Sequence, residues 1–270
     1  MHPVPGDNEE THLSQQLCTQ GRWVGQGWLR KQGKWKMTQL QFITVEEPKQ
    51  PDNIDLRCCS VQQLLSELEE KPSLIIADPP WSYVQAPGHS ANPDNHYQSM
   101  TDADIVKVLD QAYDVMDAGR LALWCTWPKL GQWFDAVHAG TFRWRYVSGG
   151  SWTKVGGAAG TGYHWLGASE LVCLYVKRGP KGTGLCTKWG SLKNAHIGER
   201  QKHSEKPVEW MQGWIERWTK PDDLIVDLFA GMSPVARACA RLGNRRYLGA
   251  ELDPERYRQA VDRLALDRTR

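Results

Sequence analysis

From Asn53 onward the apolar positions fall into short runs separated by longer amphipathic stretches. The short runs predict buried strands at Ile54–Cys58, Leu74–Ala77, Leu121–Cys125, Leu224–Leu228 and Arg246–Gly249. The amphipathic stretches predict helices at Val61–Glu69, from about Asp102 to Met116, at Lys129–Ala139, at about Pro207–Trp218, at Val235–Leu242 and from Glu255 onward. Thr101 is placed to cap the second of these, with Asp104 at its third helical position. Arg143–Trp152 and Glu170–Val176 read as two further strands, separated by a glycine-rich loop, Gly156 to Gly162, too long for a tight hairpin. Strand–helix alternation of this kind predicts an α/β fold with a mostly parallel sheet covered on both faces.

Residues 1–50 lack this rhythm. The first fifteen read as disordered, Gly21–Val45 as a short β-ribbon or an irregular arm, and Glu47–Pro51 as a linker. The expected organisation is a basic, Trp-containing amino-terminal extension over 1–50 and an α/β domain over 51–270.

Composition narrows the class. No apolar run approaches the ~20 residues of a membrane helix, and the first ten residues have no apolar core, so no signal peptide is expected. Seven cysteines without a Cys-x-x-Cys pair fit reduced thiols in the cytoplasm, not a zinc site or disulfide framework. The eight histidines, His96 and His164 among them, show no ligand spacing, and no metal is expected. Net charge is only +2, but it is unevenly spread. Between Thr11 and Val45 there is no acid, while Arg22, Arg30, Lys31, Lys34 and Lys36 alternate with Trp23, Trp28 and Trp35. From Ala136 to Gly198 the sole acid is Glu170, against eight lysines and arginines. Cations interleaved with aromatics suit a phosphate backbone and stacked bases, against the alternative of a solvated surface.

The predicted strand Leu74–Ala77 runs straight into Asp78-Pro79-Pro80-Trp81. Two prolines end the ladder and hold Asp78 at the carboxyl end of a strand, the edge where ligands bind in open α/β sheets. A second constellation follows Leu224–Leu228: Asp227-Leu228-Phe229-Ala230-Gly231, then a helix start near Ser233-Pro234. Glu251 ends the next predicted strand, some twenty residues on. A glycine turn, a helix start and a distant acid suit a nucleoside with two ribose hydroxyls. No G-x-G-x-x-G is present, so S-adenosylmethionine fits better than a dinucleotide.

Together these pieces resemble the Asp-Pro-Pro-Trp adenine-N6 methyltransferases, the family named after the 70-kDa subunit of the eukaryotic mRNA methyltransferase. The resemblance runs from about Asn53 to Arg256. It includes Ile54–Arg57, Asp78–Trp81, Tyr97–Met100, Leu123-Trp124, Trp152–Lys154, Thr161–Trp165, Glu170, His203–Pro207, Ile215–Arg217, Asp227–Gly231 and Gly249–Asp253. It implies a doubly wound, mostly parallel, seven-stranded Rossmann-like methyltransferase sheet with one antiparallel strand and the β-type motif order. It implies catalysis by Asp78, Pro79, Pro80 and Trp81, and a cofactor site of Asp55, Leu56, Asp78, Lys206, Asp227, Leu228, Phe229, Gly231 and Glu251. Asp55 and Leu56 would border the cofactor's adenine, Lys206 would hold its carboxylate and Glu251 its ribose. Trp81 or Tyr97 would stack on the substrate base. Lys154, His164 and Glu170 would join the substrate side. The resemblance says nothing about residues 1–50; there the acid-poor run itself makes Arg30, Lys31, Lys34 and Lys36 the candidates for gripping the strand. Met232, Ser233 and Ala250 depart from the family pattern around the carboxylate and ribose.

The implied activity is transfer of a methyl group to adenine N6 in nucleic acid. Glu251-Leu-Asp-Pro-Glu-Arg-Tyr257 looks more like bacterial or phage DNA enzymes, which favours DNA over RNA. The alternatives are an RNA enzyme, an inactive nucleic-acid-binding partner subunit, and a cytosine-N4 enzyme, which usually has serine at the Asp78 position. An oligomer or a partner subunit is compatible with the sequence.

Overall fold

The computed structural model describes residues 11–19, 22–31, 34–39, 50–82, 99–139, 142–155, 169–178, 195–199 and 206–267. The chain forms two compact units, Met1–Lys49 and Gln50–Arg270. The first contains a three-stranded antiparallel sheet, β1 (Thr11–Thr19), β2 (Arg22–Lys31) and β3 (Lys34–Gln39), in that order. The expectation of disorder through residue 15 is therefore corrected, since Thr11 to Gln15 pair with β2. A register shift between Leu13 and Gln15 breaks the polar–apolar alternation there, which hides the strand from a period-two reading. Lys31 pairs with Lys34, Leu29 with Lys36 and Arg30 with Trp35.

The second unit is built on β4 (Ile54–Cys58), β5 (Leu74–Ala77), β6 (Gly119–Cys125), β7 (Arg145–Val155), β8 (Ser169–Lys177), β9 (Ala195–Glu199), β10 (Leu224–Asp227) and β11 (Arg246–Glu251). Its helices are α1 (Val61–Ser66), α2 (Asp102–Asp114), α3 (Trp127–Ala139), α4 (Val208–Trp218), α5 (Pro234–Leu242) and α6 (Pro254–Asp267). The sheet order is β4-β11-β10-β5-β6-β8-β7-β9, with β8 antiparallel to both its neighbours and every other pairing parallel. The seven expected strands are joined by an eighth at the edge, β9, whose sequence Ala-His-Ile-Gly-Glu has too few apolar residues to announce a strand.

The central strands β5, β6 and β10 are buried along their whole length, as parallel strands sandwiched by helices must be. The exposed side of β4 is closed by Gln50, whose amide accepts from Leu56 N at 2.8 Å and donates to Leu56 O at 2.8 Å. Thr101 Oγ1 caps α2 by accepting from Asp104 N at 3.2 Å.

Chain direction reverses between β5 and β10. From β5 the chain crosses through α2 to β6 on one side, and from β10 it crosses through α5 to β11 on the other. The two strands lie side by side, with Asp227 level with Ile76. The crevice outside their carboxyl ends is the topological switch point.

One backbone position sets the shape of the β10–β11 half. Tyr247 is 2% exposed and its hydroxyl lies 3.3 Å from Asp227 Oδ2. To get there the ring passes over Gly249, where an added Cβ would meet the Tyr247 hydroxyl at 2.0 Å. Gly249→Ala is therefore expected to destabilise the domain by about 1–3 kcal/mol through overpacking, measured by urea unfolding. An unchanged midpoint would show that the tyrosine can move aside.

Candidate active site

Asp78 follows β5 directly, and the turn after it is fixed at three points. Trp81 N donates to Pro79 O at 2.8 Å, Met100 N donates to Pro80 O at 2.8 Å, and Trp81 Nε1 donates to Trp124 O at 3.2 Å. Trp81 is 3% exposed and meets Trp133 edge-on at 5.4 Å. The indole is thus a wedge in the core that holds the Pro79–Pro80 turn. Of the two residues expected to stack on the base, Trp81 is buried here and Tyr97 lies outside the described residues. Lys129, which sequence reasoning passed over, is buried beneath the same turn. Its Nζ donates to Ser82 O at 2.9 Å and pairs with Asp102 at 2.7 Å. Nothing in a helix-start lysine signals such a role before the fold is known.

Four charged side chains meet above the switch point. Lys206 Nζ lies 2.6 Å from Asp78 Oδ2 and 3.0 Å from Glu170 Oε2, and the other oxygen of Glu170 pairs with Lys154. The order Asp78–Lys206–Glu170–Lys154 alternates in sign, so every internal member has an opposite charge on each side. Side-chain exposure is 39% for Asp78 but 7% for Lys206 and 12% for Glu170, so Asp78 is the end that opens to the cleft. Burial raises Asp78 above its ordinary value, and the Lys206 ammonium only partly offsets that. Burial also pushes Glu170 upward, but the two lysines overcome it and hold the carboxyl below the usual range. For Lys206, burial works against the charge, while Asp78 and Glu170 prevail and raise its pKa. Lys154 and Glu170, expected on the substrate side, and Lys206, expected on the cofactor side, therefore form one network.

The nucleoside-sized cradle lies on the β10–β11 side. Gly231 has φ +54°, and nothing lies within 4 Å of where a Cβ would stand, so its backbone is bare toward the crevice. Glu251 Oε2 accepts from Gly231 N at 2.7 Å and Oε1 from Asp253 N at 2.8 Å, which fixes the carboxylate at the strand end with lone pairs to spare for a diol. Bare backbone beside a fixed acid fits the ribose and neighbouring atoms of S-adenosylmethionine. Phe229 is half-buried at the same edge. Leu228 and Asp227 are 1% and 2% exposed, so they support the loop from beneath and do not line it with side chains. Asp227 Oδ1 accepts from Phe229 N at 3.4 Å, and burial raises its pKa to about 7.

Register places Asp55 and Leu56 along β4. Asp55 pairs with Leu248 and Leu56 with Gly249, whereas Cys58 pairs with Glu251 at the carboxyl edge. Asp55 thus sits three residues, ~10 Å, below that edge, and its carboxylate is engaged by Arg57 at 2.6 Å. Leu56 is 2% exposed. The backbone beside Glu251 comes from Cys58 and Cys59, with Cys59 N donating to Glu251 O at 3.1 Å. His164, Tyr97, and most of the loops from Gln85 to Gln98 and from Lys154 to Gly162, lie outside the described residues. Arg30, Lys31, Lys34 and Lys36 belong to the other unit. Among the described residues no cluster could hold a metal, and no helix is long and apolar enough to cross a membrane.

Residues 175–262, from the end of β8 into α6, match a family model described as DNA methylase that covers the N6 and N4 amino-methylating group. Over 70 residues the chain is 40% identical to the putative methylase YubD of Escherichia coli (strain K12), a stretch covering 26% of this chain and 30% of that protein. The alignment thus spans less than a third of the curated relative. Among solved structures, the M1.HpyAVI–SAM complex superposes with a TM-score of 0.59 at 18% identity, over 78% of this chain and 99% of that one. TTHA0409, a putative DNA modification methylase from Thermus thermophilus complexed with S-adenosyl-L-methionine, gives 0.56 at 17%, over 79% and 95%. The cytosine-N4-specific PvuII DNA methyltransferase gives 0.56 at 13%, over 82% and 97%. The fold is that of the Rossmann-like S-adenosylmethionine-dependent methyltransferases.

The raised Asp227 makes a testable pH signature. Its folded-state value, about 7, lies above the ordinary carboxylate value of ~3.9. The native state then holds the proton more tightly, so this contribution to stability is complete below about pH 4 and is lost as pH rises through 7. Asp227→Asn is expected to flatten the fall in thermal midpoint between pH 4 and 7 while keeping acceptor and donor for Phe229 N and the Tyr247 hydroxyl. Parallel pH profiles for wild type and variant would contradict the buried, protonated reading.

Proposed function

We propose that the chain transfers a methyl group from S-adenosylmethionine to the N6 amine of adenine in DNA, as an Asp-Pro-Pro-Trp-type enzyme. The observation that carries the proposal is the placement of a carboxylate, Asp78, at the switch point beside the Gly231–Glu251 cradle. Cytosine-N4 enzymes usually carry serine there, and inactive paralogues have lost the aspartate or tryptophan, whereas this chain keeps both. The DNA methylase match and the Glu251-Leu252-Asp253-Pro254 ending favour DNA over RNA.

An exocyclic adenine amine is a weak nucleophile because its lone pair is delocalised into the ring. The cofactor, when bound, supplies an already activated sulfonium methyl, so the residues mainly position and polarise. Asp78 Oδ1 and Pro79 O accept the two amine hydrogens and favour the pyramidal, attacking form; Pro79 O keeps a lone pair for this after accepting from Trp81 N. Pro80 and Trp81 hold those acceptors in place. Lys206 favours the ionised form of Asp78 against its burial and offers its remaining N–H to the methionine carboxylate. Glu251 takes the ribose hydroxyls, and Phe229 and Gly231 line the cofactor. A paired adenine hides N6, so the base is flipped out or already unpaired.

Nucleoside mass spectrometry after incubation with DNA or RNA and labelled cofactor is expected to give N6-methyladenine from DNA. N4-methylcytosine, or product from RNA alone, would replace this reading with the corresponding one. Asp78→Ala is expected to abolish turnover while the protein stays folded and binds cofactor; unchanged turnover would sink the assignment.

The amino-terminal unit supplies strand affinity through Arg22, Arg30, Lys31, Lys34 and Lys36. Deleting residues 1–49 is expected to weaken DNA binding and flatten its salt dependence, the slope falling by up to about 0.9 for each phosphate no longer neutralised, with cofactor affinity intact. Binding equal to the full chain at every salt concentration would leave that unit a solvated surface.

A further inference from the structure

Trp127 stands apart from the other described tryptophans of the second unit, of which Trp218 is half-buried. Trp81, Trp124, Trp133, Trp144, Trp152, Trp210 and Trp214 are at most 5% exposed, whereas Trp127 is 55% exposed. Its Nε1 donates to Ser169 Oγ at 2.8 Å, which favours one ring orientation. With its polar atom satisfied, what remains open is the apolar face of the ring. Leaving that much aromatic surface in water forgoes burial that the rest of this tryptophan-rich core uses.

Its position gives the exposure a meaning. Ala77 pairs with Leu123, so Asp78 leaves β5 at the level of Trp124, and Trp127 opens α3 three residues farther on at the same carboxyl edge. Its anchor, Ser169, immediately precedes Glu170, which reaches Lys206 at 3.0 Å, and Lys206 reaches Asp78 at 2.6 Å. Ser169 and Glu170 are chain neighbours whose side chains leave opposite faces of β8, so the indole shares with the Asp78 network the strand end and not its contacts. Tyr146, also exposed, starts β7 at the opposite end of the sheet and cannot serve the same edge.

We propose that Trp127 is a stacking platform for a nucleobase flanking the target adenine, an inference that rests on the reading of the chain as acting on nucleic acid. A base at Asp78 occupies the end of β5, whereas Trp127 lies one strand over, ~5 Å sideways and farther out. That places it beside a neighbour in the strand and not over the target. Stacking on an aromatic face is tolerant of sequence, so Trp127 grips unpaired DNA without specifying it.

The test compares binding of fluorescein-labelled single-stranded oligo-dA and of an abasic strand of equal length and charge, by anisotropy. Trp127→Ala is expected to weaken oligo-dA binding about 10- to 100-fold, leave the abasic strand unchanged and leave the salt slope unaltered. Trp127→Phe is expected to keep most of the affinity, and Ser169→Ala, which releases the ring but keeps it, to lose roughly threefold. If Trp127→Ala proves unfolded by thermal melting, the Phe and Ser169 variants decide the matter. Equal losses for both strands, no loss for oligo-dA, or Trp127→Phe no better than Trp127→Ala would overturn the proposal. Absence of methylated nucleoside with Trp127-dependent binding intact would remove the methyltransferase reading alone.

Discussion

A carboxylate held at the end of a buried strand is costly unless a cation comes with it. Asp78 meets that constraint through Lys206, which is itself buried and needs a second anion, Glu170, which in turn takes Lys154. The four residues come from the end of β5, the start of α4, β8 and β7. A single electrostatic requirement therefore ties the antiparallel side of the sheet to the switch point. Because the row alternates in sign and ends on Asp78, the one member still open to the cleft is the one able to accept a substrate's hydrogens.

The other side of the crevice works by shape and backbone. Glu251 is oriented by two N–H groups, which leaves lone pairs for donors such as hydroxyls. Asp227 lies between the two sides and beneath both. Burial and the proximity of Asp78 both act to keep it protonated, which limits the accumulation of negative charge where three acids end neighbouring strands. Tyr247 and Gly249 complete this support by letting a hydroxyl reach Asp227 across the β11 backbone.

Much of the second unit was legible in the sequence, since Leu74–Ala77 and the helix cap at Thr101 follow from periodicity and capping chemistry alone. The placement of Asp78 beside the Gly231 turn followed from motif order. What could not be read was register. Asp55 looks like a site residue along the chain, yet parallel pairing puts it level with Leu248 and leaves Cys58 beside Glu251. Nor does sequence tell which tryptophan of fourteen is a wedge and which is exposed, because that depends on what packs above each ring. Trp81 lies inside the motif and is buried; Trp127 lies outside it and is open. Strand β1 was hidden by an irregularity that shifts the alternation by one residue.

The shared cation also has a consequence for order. Lys206 has three N–H donors, and two are directed at Asp78 and Glu170. An additional carboxylate drawing on the same ammonium weakens its hold on Asp78, since the positive charge is then divided among three anions. An aspartate with less of the lysine's charge is a stronger acceptor for a donor in the cleft, and its own burial already biases it that way. In the proposed reaction, filling the carboxylate position next to Lys206 thus sharpens Asp78 as an acceptor. Glu170 limits the effect, because Lys154 keeps it ionised and anchored while Lys206 shifts its donors. The row of charges holds the aspartate in place, and under the proposed function it also makes its acceptor strength respond to what occupies the neighbouring site.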